Sequence, residues 1–155
     1  MKLNPFEDLK NEYDLKDVLI KKSNYSWDID LKDEYIEVLG SLDYEMLVKC
    51  INPNIKWHIL DIGSYQGDYY YFAIYNNKVY FVSIGYGSCS GCDSLLACSS
   101  IEDFVELQDS IKRDIREFDN LEELITWIKN SAEWWLSDKY EILDYIKKEF
   151  NKDNK

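Results

Sequence analysis

Charge is distributed along these 155 residues in a way that narrows the possible folds more than any motif does. Residues 1–50 carry 12 acids and 7 bases, residues 51–99 carry 3 and 2, and residues 100–155 carry 15 and 9. The middle third is also dense in Tyr, Phe, Val and Ile, so it has to be covered by other parts of the chain. A buried or half-buried sheet wrapped by acidic helices meets that demand.

The periodicity agrees. From Lys56 the pattern alternates, with Trp57, Ile59 and Asp61 on one side and His58, Leu60 and Ile62 on the other. Two further runs, Asp68 to Tyr75 and Lys78 to Ile84, consist of strand-forming residues. Asn76-Asn77 between them tolerates positive φ and predicts a tight hairpin. Gly63 to Asp68 supplies a longer turn before it. The expectation is a three-stranded antiparallel meander over residues 56–84, followed by a Cys/Gly loop over 85–98. Tyr69 and Tyr71 point to one face, Tyr70 and Phe72 to the other, so both faces are aromatic.

The flanks read as helices. Asn4-Pro5 looks like a helix start, with Glu7 and Asp8 in the first turn, and helical spacing continues patchily through residues 4–51. A second helix starts at Asp30, and a third spans Asp43 to Ile51. Residues 100–150 hold three more, each opened by a cap: Ser100 with Asp103, Asn120 with Glu123, and Asp138 with Glu141. The reading is an α+β fold, a small antiparallel sheet flanked by N- and C-terminal helices in one domain over 1–155.

A net charge of −12 argues against direct nucleic-acid binding and against an anionic membrane surface. It favours a basic protein partner, or serves solubility alone. The opening Met1 to Glu7 turns acidic before any apolar segment forms, and runs such as Tyr69 to Tyr75 are too short to span a bilayer. A cytoplasmic location is expected, with Cys50, Cys89, Cys92 and Cys98 as thiols rather than disulfides.

The least generic stretch is Gly85-Tyr86-Gly87-Ser88-Cys89-Ser90-Gly91-Cys92-Asp93. Cys89 and Cys92 could hold zinc if two further ligands joined them, and Cys98, Cys50 and His58 are available, though none at a second metal spacing. A redox role needs the pair at a helix N-terminus, and Asp93 pushes the thiolate pKa the wrong way. A phosphate cradle needs a following Lys, and none lies between Lys78 and Lys112. The alternative to all three is an ordered structural turn. His58 is the only histidine, so no histidine-rich metal site can form around it. No catalytic residue is assigned, and no cofactor is expected.

Through Tyr65-Gln66-Gly67-Asp68 and the Gly85–Asp93 string, residues 56–98 resemble a recurring family of phage and bacterial proteins. That family shares Y-Q-G-D, then a hairpin, then G-S-C-S-G-C-D. The resemblance implies that Gln66, Asp68, Cys89, Cys92 and Asp93 converge at one end of the sheet. It brings no activity with it. Small acidic phage proteins include anti-CRISPR inhibitors and toxin-immunity proteins, which by analogy present acidic surface to a basic nucleic-acid groove. On that analogy the chain is a non-enzymatic inhibitor of a nucleic-acid-binding effector, working in the host cytoplasm if phage-encoded. Its contacts would be Glu102, Glu106 and Asp109 in the Ser100 helix, with Asp33, Glu34 and Glu37 in the N-terminal flank. A toxin-immunity role, or a small zinc or thiol protein using Cys89 and Cys92, stands as the alternative.

Overall fold

Asn76 and Asn77 adopt φ of 51° and 62°, the left-handed pair that a two-residue hairpin requires. The computed structural model describes residues 1–8, 44–49, 51–52, 54–63, 67–87, 101–130 and 138–152, with Met46, Ile101, Glu102, Asn151 and Lys152 described by backbone only. The hairpin joins β3 (Gly67–Tyr75) to β4 (Lys78–Tyr86), and β2 (His58–Gly63) pairs with the other side of β3. So far this is the expected meander, except that β4 takes in Gly85 and Tyr86, which the sequence suggested as loop.

The sheet is larger than the three strands expected. Arg116–Phe118 forms β5 against β4, and Lys2–Leu3 forms β1 against β5, giving a five-stranded antiparallel sheet in the order β1-β5-β4-β3-β2. The physical reason lies in β4. Val79, Tyr80 and Phe81 are buried, and backbone groups among buried side chains need hydrogen-bond partners. Residues 116–118 supply them, pairing Val79 with Phe118 and Phe81 with Arg116.

The expected helix start at Asn4 is also corrected. Asn4 has a φ of 53° and donates its N–H to the Ile115 carbonyl at 2.9 Å, and residues 5–8 form a turn. The helix start suggested at Asp30 lies outside the described residues. Four helices are described: α1 (Tyr44–Lys49), α2 (Ile101–Asp114), α3 (Leu121–Asn130) and α4 (Lys139–Lys152). The cap on α3 is as expected, with the Asn120 side-chain oxygen accepting the Glu123 N–H at 2.8 Å. Glu123 reaches back to the Asp119 N–H at 3.1 Å. None of these helices is long and apolar enough to cross a membrane.

Helices cover both faces of the sheet. On one, Tyr71, Ala73, Tyr80, Val82 and Ile84 pack with Leu47 and Val48 of α1 and Phe104 and Ile111 of α2. On the other, Tyr70, Phe72, Phe81 and Phe118 meet Leu124 and Ile128 of α3 and Ile142, Ile146 and Phe150 of α4. The alternation of β3 feeds two cores at once, which is why the middle third of the sequence carries so little charge. Each fully buried aromatic contributes about 1.5–3 kcal/mol through burial.

Candidate functional site at the Asp68 end of the sheet

The turn from β2 to β3 fixes the geometry here. Gly63 pairs with Gly67, and a side chain at 67 would put its Cβ 2.2 Å from the Ile62 carbonyl oxygen. Only glycine allows that approach. The next residue, Asp68, then stands opposite Gly85, at the end of the sheet where β4 runs into Tyr86 and Gly87. A Cβ on Gly85 would lie 3.6 Å from Asp68 Oδ1, so the carboxyl rests over the glycine. Asp68 keeps 9% of its surface exposed.

Asp68 shares its face of β3 with Tyr70, which is fully buried in the core beneath α3 and α4. The Tyr70 hydroxyl donates to Asp138 Oδ2 at 2.8 Å. Asp138 immediately precedes α4, so this bond ties the middle of the sheet to the start of the last helix. Three carboxylates, Asp68, Asp138 and Glu141, act on that hydroxyl. Burial first, then the Asp138 bond and these charges, push it well above an ordinary tyrosine. Asp68 is itself raised above the usual carboxyl range, first by burial and then by repulsion from Asp138.

On the opposite face of the same end, Tyr86 stacks on Tyr69 with ring centroids 4.3 Å apart. Its hydroxyl donates to Asp61 Oδ1 at 2.6 Å, and this bond, ahead of burial, pushes Tyr86 up to about 12.

Of the residues singled out in the sequence, the structure thus places Asp68 beside the root of the Gly/Cys segment. Gln66, Cys89, Cys92, Asp93 and Cys98 lie outside the described residues, as do Asp33, Glu34 and Glu37. Among the described residues no three acidic, histidine or cysteine side chains converge to hold a metal ion. Tyr70, Asp138 and Glu141 are not among the site residues singled out from the sequence. The available signal was a tyrosine in the middle of an apolar strand, whose hydroxyl needs a partner once buried.

Set against protein-family models, curated proteins and solved structures, the chain has no match.

The second acidic locus is α2. Phe104 and Ile111 turn inward, Glu106 is exposed and Asp109 is half-buried. Glu102 belongs to the same helix by its backbone. Neither Glu106 nor Asp109 enters an ion pair among the described residues. Three other surface carboxylates are paired with lysines: Asp119 with Lys78 at 2.6 Å, Glu45 with Lys49 at 2.8 Å and Asp144 with Lys148 at 2.9 Å.

Proposed function

We propose that this protein is a non-enzymatic, acidic binding protein that inhibits a basic, nucleic-acid-handling partner, in the manner of phage anti-CRISPR proteins, and that it acts in the cytoplasm of the host cell. The observation that carries the reading is α2: an amphipathic helix that holds Glu106 and Asp109 without ion pairs among the described residues, while Glu45 of α1, Asp144 of α4 and Asp119 of the β5–α3 turn are each paired with a lysine. Paired surface charges offer a partner little, since their field is largely cancelled at short range. Unpaired ones steer a cationic groove onto the protein and raise its association rate. The net charge of −12 adds a long-range field of the same sign.

The test begins by recovering the partner from a bacterial host and measuring its nucleic-acid binding as this protein is added. The expected result is competitive loss of that binding, weakened as salt rises from about 0.05 M to about 0.2 M. Reversing Glu102, Glu106 and Asp109 together to lysine should slow association about tenfold. Inhibition undiminished by the triple reversal removes α2 from the reading. A partner whose nucleic-acid binding is unaffected removes the reading itself.

A further inference from the structure

Tyrosine hydroxyls in this fold are repeatedly matched to carboxylates: Tyr70 to Asp138 at 2.8 Å, Tyr80 to Glu117 at 3.0 Å and Tyr86 to Asp61 at 2.6 Å. Tyr70 and Tyr80 belong to the interior. Tyr86 is half-buried and Asp61 is exposed, so this pair is the one within reach of a molecule in solution. Its bond is also the shortest, in the range of a strong O–H···O⁻ contact. A phenol that loses an electron becomes a strong acid. Asp61 is placed to take the proton it then releases.

Tyr86 also stands at the end of a run of rings. It lies stacked on Tyr69 with centroids 4.3 Å apart; Tyr69 approaches Tyr71 at 6.2 Å, and Tyr71 approaches Trp57 at 6.4 Å. The strand register builds this run. Asp61 pairs with Tyr69 across β2 and β3, and Tyr86 stands opposite Gly67, which has no side chain to keep the two tyrosine rings apart. These are the spacings of packed aromatic rings, and an electron passes readily between rings so close. A positive hole that enters along the run comes to rest where a proton can leave, at the Tyr86 hydroxyl on Asp61.

We propose that Tyr86 is a site of oxidative modification, giving one electron to a one-electron oxidant in solution and its proton to Asp61, with Trp57, Tyr71 and Tyr69 as the route that feeds it. The ring loses the electron, the O–H bond breaks with its electron pair left on oxygen, and the proton passes to Asp61 Oδ1. The products are a neutral tyrosyl radical, a protonated Asp61 and the oxidant reduced by one electron. Two such radicals on separate molecules join by a carbon–carbon bond between ring carbons beside the hydroxyls. Each ring then moves the displaced hydrogen to its oxygen, leaving a dityrosine-linked dimer. Tyr140 supplies the contrast. It is 77% exposed, its hydroxyl makes no hydrogen bond among the described residues, and the Lys139 ammonium lies 5.7 Å from its ring centroid. That charge opposes removal of an electron from the ring it faces. Exposure alone selects Tyr140; the geometry selects Tyr86.

The test oxidises the full-length protein at neutral pH with photogenerated tris(bipyridyl)ruthenium(III), a one-electron oxidant. Freeze-quench electron paramagnetic resonance reads the radical, and mass mapping of dityrosine peptides reads which residues have joined. Tyr86→Phe, Asp61→Asn, Tyr69→Leu and Tyr140→Phe are treated alongside, and thermal unfolding confirms that each folds. The expected product is dityrosine joined through Tyr86, lost in Tyr86→Phe and unchanged in Tyr140→Phe. Asp61→Asn keeps an oxygen acceptor for the hydroxyl but cannot take its proton, so it should slow the reaction. The parent should also react more slowly in heavy water, because the proton moves with the electron. Dityrosine at Tyr140, or at any tyrosine other than Tyr86, overturns the proposal. Oxidation at Tyr86 that is as fast in Asp61→Asn as in the parent overturns it too. Should Asp61→Asn fail to fold, equal rates for the parent in light and heavy water overturn it instead. Tyr69→Leu interrupts the run and should lower the yield at Tyr86; an equal yield overturns the ring route.

Discussion

The Tyr70 hydroxyl donates to Asp138 across 68 residues of sequence, at 2.8 Å. It ties a fully buried position in a central strand to the residue that leads into the last helix. Tyr70→Phe keeps the ring and its packing and deletes this bond. Hydrogen bonds to charged groups contribute about 1.5–3 kcal/mol, so the variant should lose stability in that range. Urea unfolding measures it, and an unchanged midpoint would mean that solvent already satisfies Asp138.

Asp68 gives the protein a pH dependence opposite in sign to that of a salt-bridged aspartate. Burial and Asp138 raise its carboxyl in the folded state above its ordinary value of 3.8. As pH rises past that value the unfolded chain releases this proton first, so the folded state is increasingly penalised until its own raised pKa is passed. Asp68→Asn removes the penalty. The variant should be more stable than the parent at pH 7, and the gain should shrink as pH falls toward 3.8. Urea midpoints at pH 7 and near the lower value decide it; a variant less stable at neutral pH contradicts the account.

Glycine is required at one end of β3 and merely convenient opposite it. Gly67→Ala drives a Cβ to 2.2 Å from the Ile62 oxygen, a backbone atom that cannot swing away. Gly85→Ala meets only Asp68 Oδ1, at 3.6 Å. The first should cost about 3 kcal/mol or more and the second less than about 1 kcal/mol. Thermal unfolding of the two variants side by side is sufficient.

Tyr86 should titrate late. Its bond to Asp61 holds the phenol at about 12. The folded protein therefore loses stability as pH climbs from the ordinary tyrosine value of 10 toward that figure. Ultraviolet absorbance of phenolate formation, compared with an Asp61→Asn variant, should show one tyrosine moving back toward 10. An identical titration curve for the two proteins would mean that the 2.6 Å bond is not kept in solution.

Much of the architecture could be read from local signals. Asn76-Asn77 marked the hairpin because few residues accept positive φ, and Asn120 with Glu123 marked a helix start because each satisfies a backbone N–H. β5 carries no such signal. Arg116-Glu117-Phe118 is separated from α2 by Ile115 alone, and Ile111 and Ile115 prolong the helical spacing up to its edge. The strand exists because β4 offers an unpaired side, a tertiary fact invisible in three residues. β1 depends on β5 in turn. The site divides in the same way. Asp68 stood out in the Y-Q-G-D text, whereas Tyr70 read as one strand aromatic among several and Asp138 as a helix cap. Only the fold brings the two together.

The pairing of β1 with β5 also has a consequence for synthesis. Lys2 bonds opposite Glu117, about 115 residues further on, so for most of translation the leading strand has nothing to zip onto. A nascent chain halted before Phe118 leaves the ribosome with the Val79–Phe81 edge of β4 bare and apolar. Such an edge invites pairing with foreign strands. A truncated product should therefore clump or be degraded, because β5 is the strand that covers this side of β4.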